Sequence, residues 1–465
     1  IYDYESAADT VSRGDAANVI AALLNLKNIP YDGDRQVFGD IPCGSELCDK
    51  LCLLVDGGII SADDYFYPES AVKYSELLKM LLCAMGYRSY ADVRGGYPYG
   101  YLRVAAETDL TESGVHKGID DVVTKADFAS LVAAALECAL MEPVSFGADI
   151  EYSFDDDNTL LSRYHGIYVI EGVLRNCGVR SMDSAFGVND NQIKVDDTVI
   201  ALSDSPLAAD NLLGMRVKAY YKKDGIRKTL SYIMPFDNEV FSVSDSDFDG
   251  IVGSRLNYYD ENGRKCSEKI AADAEYVYND AGVYTLSDDM LKNADRVDLI
   301  NNGSGSGYNV VKVYNYGIAA VSGVDYSDDT VYLKSPVSGG LYSVSADDFA
   351  DGKLRFVTPE NELLDISKIK KNDILSLMTD EKNLVTDAIV SQSTATARVD
   401  GVIEDSGGDR IVLDDGREYK YSKNTADMEY FGILKIGAEY DFYFDHMGRI
   451  ANVLPVDYGD VKYGY

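Results

Sequence analysis

The chain has 465 residues, an apolar content of 46% and a formal net charge of −35 at pH 7. This length is typical of about three globular domains, each long enough to bury a core. The acidic excess argues against partners that need a basic surface, such as nucleic acids and anionic membranes. No run approaches the roughly 20 apolar residues of a membrane-spanning helix, so we expect neither nucleic-acid binding nor membrane insertion.

Apolar residues fall at helical spacing in three segments, residues 16–24, 74–85 and 128–136. Each stripe predicts a helix of about three turns that buries one side. Each helix is preceded by a tetrapeptide: Ser-Arg-Gly-Asp at 12–15, Lys-Tyr-Ser-Glu at 73–76 and Thr-Lys-Ala-Asp at 124–127. In the first and third, a hydroxyl and a carboxylate can pair with the free N–H groups of the helix start, which predicts a capping box.

The best copy of this repeat, residues 37–78, reads as a helix, a Gly57-Gly58 turn, an extended apolar link and a second helix. This order closely resembles the S-layer homology (SLH) module, by which many bacteria attach exported proteins to cell-wall polysaccharide. The resemblance implies an α-helical domain of SLH-like modules over residues 1–145, with its first module incomplete.

In SLH modules the second residue of the tetrapeptide is typically an arginine that helps to bind an acidic cell-wall polymer. A guanidinium suits this role because it can pair with a carboxylate through two hydrogen bonds. Here the position is held by Arg13, Tyr74 and Lys125. The resemblance implies contacts to a secondary cell-wall polysaccharide from both capped tetrapeptides, but not from Tyr74: Ser12, Arg13, Asp15, Thr124, Lys125 and Asp127. The alternative is that these tetrapeptides only cap helices.

The pattern changes from helical spacing to strand alternation near residue 150. Residues 146–165 begin as an acidic, weakly patterned stretch and are predicted to be a linker. Beyond it, alternating strands and short turns predict four β units, at 166–238, 239–315 (irregular), 316–393 and 394–465. Four or five short strands closed by tight turns favour small antiparallel barrels or sandwiches. The expected fold class is therefore multidomain α + β, with helical SLH-like modules followed by tandem small β units.

Two of the β units share a template of turn glycines. Gly214 and Gly225 in one unit have the same spacing as Gly437 and Gly448 in another. Each template follows a Gly-Val strand, which starts at Gly172, Gly323 and Gly401 in the three more regular units. We expect these three glycines to be equivalent positions.

One segment matches the opening of a calcium-binding loop. Asp245, Asp247, Asp249 and Gly250 occupy positions 1, 3, 5 and 6, where such loops carry carboxylates and a glycine. Position 12 is Leu256, so a calcium ion would need a further carboxylate from elsewhere. The alternative is an acidic surface turn, and no other cofactor is expected.

The seven cysteines allow three interpretations: core packing, one disulfide or a metal site. Cys52, Cys83 and Cys138 lie within apolar helical stripes, where a free thiol behaves as a small hydrophobic group. Core packing is therefore the favoured interpretation.

Motifs for catalysis are absent from the sequence. None of the three histidines (His116, His165 and His446) stands beside a nucleophile motif, and no phosphate-binding loop or zinc-protease helix occurs. We expect a non-catalytic, extracellular structural protein of the cell surface that assembles with copies of itself into an S-layer or a filament. The alternatives are a monomeric wall-anchored adhesin or glycan-binding protein, and a cell-wall-active enzyme without a visible motif.

The chain starts at Ile1 rather than Met. The expectation is that an export signal was removed or that the N-terminus is incomplete. Residues 1–10 and the tyrosine-rich residues 457–465 are the segments that we expect to bridge neighbouring subunits, for example by adding a strand to an exposed sheet edge.

Overall fold

The computed structural model describes residues 8–26, 29, 35–143, 152–183, 188–189, 191–202, 210–337, 340–380, 383–403, 409–423 and 434–456. The fold is β-rich and multidomain, with 43% strand and 21% helix. It divides into two compact units, Ile1–Val169 with Tyr220–Ile226, and Ile170–Ala219 with Arg227–Tyr465. The segments expected to bridge subunits, residues 1–7 of the N-terminus and 457–465, lie outside the described residues.

The first unit is mainly helical and has one apolar core. Its elements are α1 (Arg13–Leu23), α2 (Glu46–Asp56), α3 (Tyr74–Ala84), α4 (Arg88–Val93), α5 (Tyr99–Ala106), a 3₁₀ turn (Asp109–Ser113), α6 (Lys125–Glu137), β1 (Ala139–Pro143), β2 (Tyr152–Thr159) and α7 (Leu160–His165). Helices α1, α3 and α6 coincide with the three apolar stripes. Their buried faces, represented by Ile20, Leu78 and Leu131, share one hydrophobic cluster.

A ring of three backbone hydrogen bonds joins the segments that precede α1, α3 and α6. The N–H of Val11 donates to the carbonyl of Val123 (3.0 Å), Val123 to Val72 (3.1 Å) and Val72 to Val11 (2.9 Å). All three valines are buried. Because the residue after each valine is the N-cap of a helix, the ring places three helix N-termini around one pseudo-threefold centre.

The acidic segment expected to be a linker is structured from residue 152 onward. Strand β2 pairs antiparallel with β1, and α7 follows it directly. Leu160 is fully buried in the helical core, and an imidazole nitrogen of His165 lies 3.0 Å from the carbonyl oxygen of Leu23. Strand β2 exposes its acidic side chains, so the local charge pattern resembles that of a linker although the backbone is paired.

In the described residues, the remaining strands form three sheets. The largest contains β3 (Ile167–Cys177), β4 (Arg180–Ser181), β5 (Gln192–Val195), β6 (Thr198–Ala201), β7 (Arg216–Asp224), β8 (Arg227–Pro235), β9 (Glu239–Ser244), β10 (Phe248–Val252), β11 (Arg255–Tyr259), β12 (Lys265–Tyr278), β13 (Ala281–Val283), β14 (Arg296–Asn301) and β15 (Tyr308–Tyr314). A short helix, α8 (Asp288–Lys292), precedes β14.

The second sheet has seven strands and the third has five. The seven are β16 (Gly317–Asp325), β17 (Thr330–Val337), β18 (Leu341–Val344), β19 (Phe356–Val357), β20 (Leu363–Leu364), β21 (Ile374–Thr379) and β22 (Val385–Ser391). The five are β23 (Thr394–Ile403), β24 (Arg410–Leu413), β25 (Glu418–Lys420), β26 (Glu439–Phe444) and β27 (Ile450–Pro455). Strands of the first two predicted β units thus belong to one sheet.

Three chain segments share one strand order. In residues 167–235, 317–391 and 394–455, a long first strand pairs with the hairpin that follows it and with the first strand of a last hairpin. A parallel contact then joins the last strand to the end of the first hairpin (Ala201–Thr229) or to a residue that follows this hairpin (Phe349–Val385 and Tyr421–Ile450). In each segment, the path of pairings therefore returns to its start.

Identical hydrogen bonds fix which residues of the three segments are equivalent. Gly214 donates to the carbonyl of Leu174 (2.9 Å), Asn372 to that of Val321 (2.8 Å), and Gly437 to that of Val399 (2.7 Å). All three donors have positive φ, 84°, 73° and 86°, which glycine and asparagine tolerate best. The glycine template at 214 and 437 is therefore the same turn, and asparagine replaces the glycine in the third copy.

The expected equivalence of the strand glycines is wrong for one copy. The fully buried residues Leu174, Val321 and Val399 are equivalent, and in each strand the register shifts just after them. Gly323 and Gly401 follow this shift, but the residue in the same place in the first copy is Asn176. Gly172 lies four residues before Asn176. The sequence predicts the wrong equivalence because a local Gly-Val pattern contains no information about the position of a bulge.

Buried ion pairs join the sheets of the second unit. The guanidinium of Arg449 lies 2.8 Å from Asp295, 2.9 Å from Asp245 and 2.8 Å from Asp445. Asp295 and Asp445 have fully buried carboxylates, and Lys423 adds a second cation at 2.9 Å from Asp295. Removal of a partner from such a cluster is strongly destabilising, since it leaves a buried charge uncompensated.

A second buried cluster joins the largest sheet to the seven-stranded sheet. Arg180 lies 3.1 Å from Asp280 and donates to the carbonyl of Thr386 at 3.1 Å. Lys312 lies 3.3 Å from the same Asp280, and its side chain is only 2% exposed. The β segments therefore contact one another through matched charges as well as through apolar surface.

His446 lies where the seven-stranded and five-stranded sheets meet. Its Nδ1 is 2.8 Å from the hydroxyl of Ser376, and its ring packs at 4.5 Å against Tyr316. Burial lowers the pKa of His446 to about 4, with Asp445 and Arg449 acting in opposite directions. The imidazole is therefore neutral in the folded protein over the pH range in which an unfolded histidine takes up a proton.

We predict that His446→Asn reduces the loss of stability in mild acid. Unfolded chains protonate the imidazole near pH 6.5, whereas the folded protein does so only near pH 4, so stability falls as the pH falls between these values. From about pH 7 to about pH 5, the parent protein should lose about 1–2 kcal/mol more unfolding free energy than the variant. Denaturant unfolding followed by tyrosine fluorescence measures this, since the chain has no tryptophan.

The exposed His116, in the first unit, provides the matched control. His116→Asn should retain the full acid dependence of the parent protein. An identical pH dependence in the parent and in His446→Asn would contradict the prediction.

Candidate functional site: grooves beside the capped helices

Two of the three tetrapeptides cap their helices as expected. The hydroxyl of Ser12 accepts from the N–H of Asp15 (3.0 Å), and that of Thr124 accepts from the N–H of Asp127 (3.2 Å). In the middle copy, the carboxylate of Glu76 accepts from the N–H of Lys73 (3.0 Å). The tetrapeptides therefore have a capping role, whatever else they bind.

The second residue of each tetrapeptide contacts the neighbouring copy of the repeat. The N–H of Arg13 donates to Ser70 (2.8 Å), that of Tyr74 to Asp121 (2.8 Å), and that of Lys125 to Asp9 (2.7 Å). Each acceptor lies two residues before a valine of the ring. The backbone thus sends three equivalent side chains toward the junctions between helices.

The junction at Arg13 contains a cavity of about 250 Å³, which we call the first groove. Arg13 forms a short ion pair with Glu76 at the start of α3. Its Nε donates to the carbonyl of Phe66 (2.8 Å), and the guanidinium lies 4.9 Å from the centre of the Phe66 ring. These contacts use Nε and Nη1. Among the described residues, no hydrogen bond from Nη2 is present.

Asp40 holds the segment on which Arg13 rests. Its carboxylate accepts from the N–H groups of Phe66 (2.8 Å) and Tyr67 (2.6 Å). Burial alone would raise the pKa of Asp40, but these hydrogen bonds and the charge of Arg13 outweigh it and lower the pKa. The carboxylate is therefore ionised in neutral solution, and it keeps the wall of the first groove in place.

Aromatic side chains and a lysine also line the first groove. Tyr65 and Tyr97 line it and are each about half exposed, 52% and 50%. Lys79 also lines it, donates to the hydroxyl of Ser61 (2.7 Å) and lies 5.4 Å from the centre of the Tyr97 ring. Two carboxylates, Asp63 and Glu76, also line this groove and balance the charges of Arg13 and Lys79. The hydrogen-bond donors of the two cations and the exposed tyrosine faces can nevertheless bind an anionic ligand whose rings pack against the aromatic surfaces.

A second groove of similar size, also about 250 Å³, lies at Tyr74. The tyrosine is buried and donates to the carbonyl of Val115 (3.0 Å). Lys117 nevertheless lines this groove as a cation, and its ammonium lies 2.8 Å from the carboxylate of Asp127. Burial would raise the pKa of Asp127, but hydrogen bonds from Lys117 and Thr124 lower it. The other lining residues are mainly apolar, so the second groove is less polar than the first.

The third junction carries Lys125. Its ammonium lies 3.2 Å from Asp9. The contact is a point-charge pair with an exposed carboxylate, in contrast to the half-buried arginine of the first groove. The structure therefore places Arg13, Tyr74 and Lys125 in equivalent positions but in three different environments.

The three aspartates considered for calcium binding are held apart by separate partners. Asp245 pairs with Arg449 (2.9 Å), Asp249 pairs with Lys265 (2.5 Å), and Asp247 accepts from a serine hydroxyl, Ser244 (3.1 Å). In the described part of the chain, no three histidine, cysteine or acidic side chains form a group that could hold a metal ion. Asp245 and Asp249 thus contribute to ion pairs that the local sequence does not reveal.

The cysteines and the helix lengths add two further findings. All seven cysteines are free thiols, and Cys52 and Cys138 are buried as the core interpretation predicted, while Cys83 is half-buried. The longest described helix, α6, has 13 residues, and no helix of the described segments could cross a membrane.

Several residues of the grooves escaped the sequence analysis. Lys79 follows Glu76 by one helical turn, so its position beside Arg13 could have been inferred from α3 alone. Tyr97 and Lys117 come from loops distant from the tetrapeptides, and no local signal identifies them. The ion pair of Lys117 with Asp127 depends on how the chain returns to α6 after α5.

Two known proteins are similar to parts of this chain. A stretch of 102 residues, 22% of the chain, is 31% identical to the middle cell wall protein of Brevibacillus brevis and covers 9% of that protein. Another of 155 residues, 32% of the chain, is 28% identical to the surface layer protein of Brevibacillus choshinensis and covers 12% of it. The chain therefore spans about a tenth of the length of the curated relatives it matches. No protein-family model matches the chain.

We predict that Thr124→Ala costs about 1 kcal/mol of unfolding free energy, because it leaves the N–H of Asp127 at the start of α6 without its side-chain acceptor. The control is Ser130→Ala, which removes an exposed hydroxyl from the same helix and should change stability by less than about 0.5 kcal/mol. Denaturant unfolding followed by far-UV circular dichroism compares the two. Equal effects would show that capping does not determine the stability of α6.

Proposed function

We propose that this chain is a structural protein of a bacterial cell surface, of the S-layer type, whose helical unit binds an acidic cell-wall polysaccharide. The similarity to a cell wall protein and a surface layer protein supports the surface role and an extracellular location. The SLH-like order of the repeat supports wall binding by the helical unit. The observation that carries the proposal is the position of Arg13 and Lys79 beside two exposed tyrosines in the first groove.

Arg13 is the central contact in this proposal. A guanidinium has five N–H donors in a planar arrangement, and its bonds to Glu76 and Phe66 use only Nε and Nη1. The remaining donors can bind a carboxylate of the polysaccharide, while the ion pair with Glu76 holds the side chain in one orientation. Glu76 thereby reduces the conformational entropy that Arg13 would lose on binding.

Tyr65 and Tyr97 provide the surfaces for the sugar rings. Each tyrosine is about half exposed, although most large aromatic side chains bury more of their area. A pyranose ring presents an apolar face that can pack against such a ring while its hydroxyls remain in water. Lys79 can contribute to both contacts, because its ammonium borders the groove, where the anionic group would bind, and lies over the ring of Tyr97, where a sugar would pack.

We predict that Arg13→Ala weakens binding to isolated cell walls by about tenfold or more, because a charge-assisted hydrogen bond contributes about 1.5–3 kcal/mol. Lys125→Ala should weaken binding less than about threefold, since its ammonium is a point charge outside both grooves. The exposed Arg163, which pairs with Glu142, is the control, and Arg163→Ala should bind normally. Co-sedimentation with walls measures binding, and thermal unfolding shows whether each variant folds.

Full retention of wall binding by Arg13→Ala would contradict a polymer-binding role for the first groove. Arg13 would then have only its structural contacts with Glu76 and Phe66.

Self-assembly is the second part of the proposal. The similarity to a surface layer protein supports it. The charged clusters around Arg449 and Arg180 also fit a load-bearing role, because directional buried pairs restrict how the β segments can move against one another. At a net charge of −35, copies of the chain repel each other over roughly a Debye length, so assembly should require salt or a specific contact.

We predict that the purified protein forms ordered sheets or fibres in electron micrographs, and that low ionic strength suppresses them, because less screening strengthens repulsion between acidic subunits. Light scattering across a salt series measures the onset of assembly. Dispersed monomers at every salt concentration would contradict self-assembly and favour the alternative of a monomeric wall-bound adhesin.

A further inference from the structure

Three cations contact one extended segment at successive points. The segment is residues 58–66, which leads from the Gly57-Gly58 turn toward α3. Arg13 donates to the carbonyl of Phe66 (2.8 Å), Lys79 to the hydroxyl of Ser61 (2.7 Å), and Arg88 to the carbonyl of Gly58 (3.3 Å). Only Arg13 and Lys79 line the first groove, so Arg88 marks a position beyond it.

Lys79 and Arg88 both act on the same side chain, the thiol of Cys83. Burial raises the pKa of the Cys83 thiol, while the charges of both Lys79 and Arg88 act to lower it. Cys83 follows Lys79 by four residues in α3, so the two cations flank the C-terminal half of this helix. The cationic side of the groove therefore continues past the cavity, toward the start of α4.

The nearby carboxylates leave this strip with unused donors. Arg88 is 3.9 Å from Asp92, and both side chains are more than half exposed, 59% and 53%. Exposed pairs at such a distance are weak and readily exchange partners. In the described residues, no carboxylate lies within ion-pair distance of Lys79. The segment also carries two exposed aspartates of its own, Asp63 and Asp64, and Asp63 lines the first groove. Binding along this strip therefore depends on the hydrogen-bond donors of the three cations and not on a net positive charge.

We infer that the first groove continues along residues 58–66 to Arg88 and binds two successive anionic groups of one polysaccharide chain. This inference rests on the proposed function. Arg13 and Lys79 bind the anionic group in the cavity, and Arg88 binds the anionic group of the next repeating unit. The site therefore prefers a polymer to a single sugar, because a second contact on the same chain acts at a high effective concentration.

The experiment compares long polysaccharide chains with single repeating units, both released from isolated cell walls and separated by size. Isothermal titration calorimetry at several salt concentrations gives the affinity of the 465-residue protein and of its Arg88→Ala variant for each ligand. We expect Arg88→Ala to lower affinity for long chains by about three- to tenfold and to leave affinity for single units unchanged. For the long polysaccharide chains, the slope of log affinity against log salt concentration should become smaller in magnitude by roughly one in the variant, which corresponds to one fewer counterion released on binding.

Arg94→Ala is the matched control. Arg94 directly follows α4, is similarly exposed and pairs with Glu107 (2.7 Å), and its hydrogen bonds in the described structure do not involve residues 58–66. The control should change neither the affinity nor the salt dependence. Circular dichroism establishes that both variants fold, which their exposed positions favour.

Two results would overturn the inference while leaving the proposed function intact. One is an unchanged affinity of Arg88→Ala for long chains, and the other is an equal loss for long chains and single units. Failure of the parent protein to bind either ligand would overturn the proposed function as well, so the two failures are distinguishable.

Discussion

The ring of hydrogen bonds among Val11, Val72 and Val123 is the constraint on which the helical unit depends. Buried backbone groups must be paired, and the three valines pair with one another in a closed cycle. Because a helix begins at the second residue after each valine, the cycle fixes three helix N-termini around a common centre. Capping then determines where each helix starts, and the next side chain must enter a junction between helices.

Side-chain chemistry makes the equivalent junctions different. In the first groove, Arg13 pairs with Glu76, the fourth residue of the next tetrapeptide. In the second groove, Lys117 pairs with Asp127, which is the fourth residue of the third tetrapeptide. The residue equivalent to Arg13 is Tyr74 in this groove, and it carries no charge. The cation that pairs with the carboxylate therefore comes from a tetrapeptide in the first groove and from a loop in the second. The first groove, the more polar of the two, is the one proposed to bind an acidic sugar chain.

In the second unit, the corresponding constraint is the set of buried ion pairs that hold the sheets against one another. Arg449 and Arg180 each bind carboxylates or carbonyls that belong to other segments of the chain. Burial of these charges gives little net stability, since desolvation offsets most of the attraction. Their contribution is to orientation, because a misplaced segment would leave a charge buried without a partner. Such fixed geometry suits a protein proposed to have a structural role.

The sequence alone determined the helices α1, α3 and α6, the caps of α1 and α6, and the shared turn at Gly214 and Gly437. All of these depend on residues within one or two turns, so local spacing reveals them. Only the tertiary structure decided the partners of Lys117, Arg449 and the aspartates near residue 247, and the true equivalent of Gly401. These depend on chain segments that are distant in sequence but adjacent in space, and local propensity contains no information about which distant backbone or charge will be near.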